Sequence, residues 1–147
     1  MKVSTIGFTK KSAQKFFTLL RDSGARTLID VRLNNVSQLA GFAKKDDLRF
    51  FLAELCGIEY VHAPQLAPQK EALKAYQDGR MTWQNYEAEF IELMAKRGVE
   101  RSLDKRIIDD GCLLCSEDKP HQCHRRLVAE YLKDSWSDES LVIKHLI

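Results

Sequence analysis

The sequence lacks any long hydrophobic run. No segment approaches the roughly 20 consecutive apolar residues that a helix needs to cross a bilayer. The chain also reaches a basic, polar stretch at Lys10 without an apolar run of signal-peptide length. We therefore expect a cytoplasmic protein that has no membrane partner.

A strong excess of charge of one sign is also missing. The chain has 23 basic and 21 acidic residues, and its formal net charge is +2. A dedicated nucleic-acid-binding protein usually shows a clear basic excess, which this composition does not supply. Internal repeats, low-complexity segments and linkers are absent as well. With 147 residues, of which 44% are hydrophobic and 30% charged, we expect residues 1–147 to form a single domain.

Cysteine is scarce but clustered. The chain has four cysteines, at positions Cys56, Cys112, Cys115 and Cys123. In a reducing compartment they are expected to be free thiols, so the clustering of three of them indicates reactivity or metal binding before it indicates disulfides. Cys56 and Cys112 are interpreted as small buried hydrophobic residues.

The order of strands and helices predicts the fold. Short apolar runs that suit buried strands lie at residues 2–6, 27–31, 58–62, 112–115 and 141–146. Between them, apolar residues recur with helical spacing; helices are expected to begin after Ser12 and Thr82, and to end at Gly24 and Gly57. Further helices are predicted over residues 69–77 and 122–133. This alternation predicts an α/β fold, a three-layer Rossmann-like domain with a mostly parallel sheet of about five strands.

Polar residues follow the predicted strands at their carboxyl ends. They are Gly7 after the first strand, Asp30 and Arg32 after the second, His62 after the third, and Cys115 and Glu117 after the fourth. In an open parallel sheet these ends meet at one edge, where ligands bind. The sequence therefore predicts a pocket at this edge.

The segment "LLCSEDKPHQCHRR", residues 113–126, carries the densest chemistry. Cys123 is predicted at the start of a helix and is flanked by His124, Arg125 and Arg126, a setting that lowers the pKa of a thiol. The backbone N–H groups at the same helix start would bind an anion, and Arg125 could clamp it. The alternative is an ordinary helix start with solvated arginines and an inward-facing Cys123.

A metal site is the competing interpretation of the same residues. Cys112, Cys115, Cys123 and His124 follow the pattern C-x2-C-x7-C-H, which offers enough ligands for tetrahedral zinc. If residues 112–115 form a strand, however, Cys112 and Cys115 point to opposite faces and stand about 10 Å apart. We therefore predict no metal at this site.

Two further groups have both functional and structural interpretations. Asp30 could orient a cationic partner such as Arg125, or it could form an isolated surface ion pair worth about 0 to 1 kcal/mol. His62 could act as an acid, a base or a ligand, or it could be a hydrogen-bonded structural histidine.

Motifs along most of the chain carry a family resemblance. They are "TIGFT" at 5–9 (with its first Thr at Thr5), "LIDVR" at 28–32, "GFAKKDDL" at 41–48, "YVHAPQLAP" at 60–68, "WQNYEAEF" at 83–90 and the segment at 113–126. In this order they resemble the bacterial and archaeal family called domain of unknown function 488. The resemblance implies a Rossmann-like α/β domain, and it brings no established reaction.

Carried onto this chain, the family pattern marks thirteen positions: Thr5, Gly7, Asp30, Arg32, Phe42, Tyr60, His62, Pro64, Cys115, Glu117, Cys123, His124 and Arg125. Cys112 is outside this pattern, which further weakens a zinc site with four ligands. The chain departs from the family at Phe8, where many relatives have a polar residue or tyrosine, and at Gln69, where threonine is common. Both departures concern specificity rather than fold.

Our leading hypothesis is an enzyme or ligand-binding protein with a pocket for an anionic small molecule, phosphate-like or nucleotide-like. Cys115 or Cys123 would be the nucleophile, and Glu117 or His124 the partner in proton transfer. The ligand would be held by Thr5, Gly7, Asp30, Arg32, His62 and Arg125.

Two alternatives belong to other classes. The protein could bind nucleic acid in a DNA repair or modification context through basic residues that include Lys10, Lys11, Lys44, Lys45, Arg125 and Arg126. It could also transfer thiol or sulfur groups as rhodanese-type proteins do, although ten positions separate Cys115 from Arg125, which is far for a compact anion-binding loop. The sequence identifies no cofactor, substrate or oligomeric state.

Overall fold

One parallel sheet organises the chain. The computed structural model describes residues 1–35, 41–117 and 120–147. Within these ranges five strands pair in parallel in the order β3-β2-β4-β1-β5. Their bounds are β1 (Lys2–Gly7), β2 (Thr27–Asp30), β3 (Glu59–His62), β4 (Gly111–Cys115) and β5 (Val142–Leu146). The predicted five-stranded parallel sheet is therefore confirmed.

Helices connect the strands. The described part of the chain has α1 (Ala13–Ser23), α2 (Lys45–Phe51), α3 (Lys70–Gln77), α4 (Trp83–Arg97), α5 (Val99–Ser102), α6 (Lys105–Ile108) and α7 (His124–Ser135). A π-helical turn, Leu52–Cys56, extends α2, and short 3-10 turns lie at Gly41–Ala43 and Pro64–Leu66.

The predicted helix boundaries agree with local chemistry. The Ser12 hydroxyl accepts the Lys15 N–H at the start of α1, and Thr82 caps α4 in the same way. Gly24 and Gly57 end their helices with φ of 76° and 64°, a left-handed conformation that glycine adopts without a steric penalty. The last long helix begins at His124 rather than at residue 122, because Cys123 is an extended N-cap with φ of −140°.

The two faces of the sheet are covered by different helices, which gives the three-layer α/β arrangement. On one face, Val3, Ile29 and Leu113 pack with side chains from α4 and α7. On the other, Ile6, Leu28 and Leu114 pack with side chains from α1 and α2. Burial of both apolar faces is the main source of stability for such a sheet.

Cys112 and Cys115 belong to opposite layers. Cys112 packs in the layer of α1 and α2, whereas Cys115 packs in the layer of α4 and α7. The prediction that these two thiols point to opposite faces of the sheet is therefore confirmed. Within the described ranges, no helix has both the length and the apolar character that crossing a membrane would require.

Candidate functional site

The centre of the site is a pair formed by Cys115 and His124. Cys115 is the last residue of β4, which lies between β2 and β1, and His124 is the first residue of α7. The Cys115 sulfur lies 3.3 Å from His124 Nδ1, and His124 Nε2 lies 2.8 Å from the Val31 carbonyl. Because that carbonyl can only accept, Nε2 carries the proton, and Nδ1 is free to accept the Cys115 proton in the neutral ring. This is a nucleophile and a base, with the base oriented by a third group.

Cys123 completes a group of three buried donors. The ligating atoms of Cys115, Cys123 and His124 all lie within 4.8 Å of one another. Burial opposes ionisation of Cys115, but the Cys123 thiol and the Ser116 N–H donate to its sulfur and Arg125 supplies positive charge, so the pKa of Cys115 falls below its ordinary value. The same hydrogen bond and burial raise the pKa of Cys123 well above the ordinary value. Cys115 is therefore the more readily ionised thiol of the pair, and Cys123 the less readily ionised one.

Arg125 is buried beside this pair and is a structural part of it. Its Nε donates to Thr5 Oγ1 at 3.2 Å, and its Nη1 donates to the Glu117 carbonyl and lies 3.8 Å from the Cys123 sulfur. Gly7 packs against this contact, because a Cβ at that position would overlap both the Glu117 carbonyl and the guanidinium. The side chain has no exposed surface, so its charge acts on neighbouring buried groups.

A second buried cluster lies on the side of α1 and α2. Arg32 donates to both carboxylate oxygens of Asp30, from Nε at 2.9 Å and from Nη2 at 2.8 Å, and Nη2 also donates to the Ala43 carbonyl at 2.8 Å. The Tyr60 hydroxyl donates to Asp30 Oδ2 at 2.6 Å and receives a hydrogen bond from Asn35 Nδ2. Asp30 is 0% exposed and Arg32 3% exposed. The cationic partner of Asp30 is therefore Arg32, and the pair is buried rather than on the surface.

A cavity of about 350 Å³ joins the two clusters. It is lined by Arg32, Leu33, Asn34, Leu73, Tyr76, Gln77, Trp83, Tyr86, Cys115, Ser116, Glu117, Gln122, Cys123 and His124. Two of these side chains carry a buried polar atom that finds no hydrogen-bond partner among the described residues, Arg32 Nη1 and the Tyr86 hydroxyl. A buried donor without a partner costs about 1 to 3 kcal/mol, and both of these donors lie on residues that border the same space.

Tyr86 belongs electrostatically to the thiol cluster. Burial and the nearby Cys115 and Cys123 sulfurs raise the pKa of its hydroxyl, which therefore stays protonated as a donor. Its ring stacks on Tyr76 with centroids 5.0 Å apart and lies 5.5 Å from the Trp83 ring. One wall of the cavity is therefore aromatic, and the two thiols line the same cavity.

The three donors also have the composition of a metal site. Two cysteines and one histidine could hold a zinc ion with a fourth position open toward the cavity, and a histidine that donates its other N–H to a carbonyl is common in such sites. This set differs from the sequence pattern, since Cys112 is not in it. The prediction that no metal binds here stays a prediction.

The structure brings many, though not all, of the sequence-predicted residues together. Arg125 contacts Thr5, Gly7 and Cys123, and Cys115 contacts His124. Arg32, which is paired with Asp30, lines the same cavity as Cys115, Cys123 and His124. Glu117 lies at the rim, where its side chain is exposed and its carbonyl contacts Arg125. His62 is half-buried, 3.4 Å from the Arg32 carbonyl, and does not line the cavity as the structure describes it.

The basic residues weighed for nucleic-acid binding do not form one exposed surface. Arg125 is fully buried, and Lys11 is only 8% exposed. Arg126 is half-buried and donates to Glu130 at 2.8 Å and to the His121 carbonyl. Phosphate contacts need accessible cations, so the structure gives no support to that alternative.

Two participants were missed by reasoning from the sequence. Tyr86 shares the apolar spacing of α4, and this pattern indicates a core residue rather than a site residue. His145 carries no motif, yet its Nδ1 lies 2.6 Å from Thr5 Oγ1, which in turn accepts from Arg125. The strand register between β1 and β5 could have indicated His145, since it pairs that residue with Thr5.

A larger groove of about 580 Å³ lies away from this chemistry. It runs between α1 and α2 and is lined mainly by apolar side chains, including Phe17, Phe42 and Phe51. Its cysteine, Cys56, has a raised pKa because of burial. We place the candidate site at the smaller cavity, since the buried donors and the activated thiol lie there.

The chain matches the model of a known protein family, although two other comparisons found nothing. No match was found among the curated proteins or among the solved structures. The family model described as "Domain of unknown function DUF488" matches residues 12–132 of the 147-residue chain. The match spans α1 through most of α7 and includes Asp30, Arg32 and the Cys-His-Arg segment. The chain therefore belongs to the DUF488 family.

Proposed function

We propose that the protein is an enzyme that binds a small anionic molecule in the cavity and attacks it with the Cys115 thiolate. The observation that carries the proposal is a nucleophile and base pair, Cys115 and His124, that lines a cavity. Two other residues lining the cavity, Arg32 and Tyr86, each have a buried donor with no hydrogen-bond partner among the described residues. A site with these three features has the parts needed for covalent catalysis on an oxygen-rich substrate.

The roles follow from the contacts. His124 Nδ1 takes the proton of Cys115 and can later return it to the leaving group, while the Val31 carbonyl holds the ring in position. Arg125 and the Cys123 thiol stabilise the thiolate. Glu117, which the sequence suggested as a proton carrier, is exposed at the rim and would meet the substrate only there.

The substrate's oxygen atoms would be bound by Arg32 Nη1 and the Tyr86 hydroxyl. Asp30 consumes two of the Arg32 donors, so Arg32 is rigidly placed and offers its remaining group to the ligand. Phosphate and carboxylate are the usual partners of such a guanidinium. The aromatic wall of Tyr76, Trp83 and Tyr86 suits a ligand with a planar ring, which favours a nucleotide-like compound over inorganic phosphate.

Two conditions must hold for this site to act as proposed. The thiols must be reduced, which agrees with the expected cytoplasmic location. Residues 1–147 must act as one domain, because Thr5 and His145, which support Arg125, lie near opposite ends of the chain.

The thiol part is tested by alkylation. Iodoacetamide labelling of the reduced protein, followed by mass spectrometry of each cysteine peptide, should give a half-maximal pH for Cys115 well below about 8.5, the value of a free thiol. Cys112, three residues earlier on the same strand, is the internal control, since burial raises its pKa. Labelling of Cys115 no faster than Cys112 over the whole pH range would remove the nucleophile from the proposal.

The ligand part is tested by protection from the same reagent. Inorganic phosphate and adenosine monophosphate are the probes, and the nucleotide should slow labelling of Cys115 at lower concentration than phosphate does. Cys56 lines the other groove and should be unaffected. If both probes leave the Cys115 rate unchanged at millimolar concentration, the cavity does not bind this class of anion.

A further inference from the structure

Cys115 has a second thiol beside it, and that thiol has no place in simple nucleophilic catalysis. The Cys123 sulfur lies within 4.8 Å of the Cys115 sulfur. Both residues are nearly fully buried, at 5% and 3% exposure, and both line the cavity. A small reagent that enters the cavity therefore meets both sulfur atoms together.

The backbone holds the two cysteines in different elements. Cys115 ends a central strand, and the Ser116 carbonyl after it accepts both the Thr9 N–H at 3.0 Å and the Thr9 hydroxyl at 2.6 Å. Cys123 is the extended N-cap of α7; its N–H donates to the Pro120 carbonyl at 3.2 Å, and its carbonyl accepts the Arg126 N–H at 3.2 Å. A disulfide needs the sulfurs about 2.05 Å apart, so closing one requires a local rearrangement of these contacts.

We infer that Cys115 and Cys123 are a redox-active pair, in which a hydroperoxide oxidises Cys115 and Cys123 then closes a disulfide with it. The inference rests on the proposed function in one respect, since it uses the same Cys115 thiolate as the attacking group. It adds a substrate class, peroxides, and a role for Cys123 as the resolving thiol.

The chemistry balances with the groups present and the peroxide as oxidant. The Cys115 thiolate attacks the terminal oxygen of ROOH, the O–O bond breaks, and the departing alkoxide takes the proton held by His124 Nδ1, leaving a sulfenic acid on Cys115 and ROH. The Cys123 sulfur then attacks the Cys115 sulfur, the S–O bond breaks, and the departing hydroxide leaves as water with the Cys123 proton. The two thiols lose two electrons, and the peroxide gains them.

The cavity gives this pair an advantage over the other cysteines. Cys112 is completely buried on the opposite face, and Cys56 lies at the separate groove with a raised pKa. Neither belongs to the close group of Cys115, Cys123 and His124. Oxidation should therefore be selective for Cys115, followed by Cys123.

The experiment treats the reduced, full-length chain with one equivalent of hydrogen peroxide. Mass spectrometry of the digested protein should find a Cys115–Cys123 disulfide within minutes in the wild type and equally in Cys112→Ser, the matched control from the same strand. Cys123→Ser should instead accumulate a dimedone adduct on Cys115, and Cys115→Ser should consume peroxide at least tenfold more slowly.

Three results would contradict the inference and are distinguishable. If Cys115 is alkylated at low pH but forms no disulfide with Cys123, the redox pair is wrong and the proposed nucleophile survives. If neither alkylation nor oxidation selects Cys115, both proposals fail. If the purified protein carries about one zinc ion per chain and both thiols react only after chelation, the three donors are a metal site.

Discussion

Two buried clusters border the same sheet edge, and they use their burial in opposite ways. In the cluster of Asp30, Arg32 and Tyr60, the Arg32 charge is matched by the Asp30 charge. Among the described residues, Arg32 Nη1 is the one buried polar atom of this cluster that has no hydrogen-bond partner. In the cluster of Cys115, Cys123 and His124, the thiolate depends on weaker sulfur contacts and on the nearby Arg125. The first arrangement fixes geometry, and the second leaves a group able to react. Burial alone therefore does not distinguish a structural cluster from a functional one.

The largest effect should come from breaking the charged cluster. Asp30→Asn leaves the Arg32 charge buried without a counter-charge, so we expect a loss of about 3 to 5 kcal/mol in the free energy of unfolding. Urea denaturation followed by circular dichroism measures it. Asp78→Asn, which removes the exposed pair with Arg80, is the control and should change stability by less than about 1 kcal/mol. Equal losses in the two variants would mean that the Asp30 pair contributes no more than a surface pair.

A matched pair of tyrosines gives the next largest effect. Tyr60→Phe removes a hydroxyl that donates to Asp30 at 2.6 Å, and a hydrogen bond to a charged group is worth about 1.5 to 3 kcal/mol. Tyr86→Phe removes a buried hydroxyl that has no partner among the described residues, so its stability should be unchanged or higher. Only Tyr86→Phe should weaken the protection of Cys115 by adenosine monophosphate, by about tenfold. A destabilised Tyr86→Phe variant with normal protection would make Tyr86 a structural residue.

Much of the architecture could be predicted from local signals. Ser12, Thr82, Gly24 and Gly57 mark helix ends through hydrogen bonding and φ preference, which depend on near neighbours only. The meeting of Gly7, Asp30 and Cys115 at one edge follows from parallel topology. The sequence names Arg125 as one possible partner of Asp30 and leaves a surface ion pair as the alternative. The observed partner, Arg32, follows Asp30 by two positions, and residues two apart near a strand end share a face.

The rest of the site could not be derived from the sequence because it depends on how helices pack over the sheet. Tyr86 reaches the thiols only because α4 lies against α7, and no spacing in the sequence fixes that contact. The helix start predicts a lowered pKa for the Cys123 thiol, whereas its hydrogen bond to Cys115 and its burial raise that pKa. The direction of each pKa shift depends on the buried surroundings of both sulfurs, including Ser116 and Arg125.

The smallest expected effect concerns His145, which supports the thiol side through Thr5. Burial and the charges of Arg125 and Arg126 lower its pKa, while Glu130 acts in the opposite direction. His145 therefore binds a proton more readily in the unfolded chain than in the folded one. Neutral His145 contributes to the free energy of unfolding above about pH 6.5, its pKa in the unfolded chain, and this contribution is lost as the pH falls from there through the lower pKa of the folded chain. His145→Gln should show a shallower loss of stability between pH 7.5 and pH 5 than the wild type. His121→Gln, in an exposed loop, should follow the wild-type curve.

The position of Gly7 has a consequence for how the family can vary. Because Gly7 has no side chain, the Glu117 carbonyl, which follows β4, packs directly against the backbone of β1. A methyl group at residue 7 would displace the Glu117 peptide, and it would move the Arg125 guanidinium away from the Cys123 sulfur. Substitutions at the exposed rim of the cavity can therefore change its entrance, whereas a residue larger than glycine at position 7 cannot be accommodated without displacing Glu117 and Arg125.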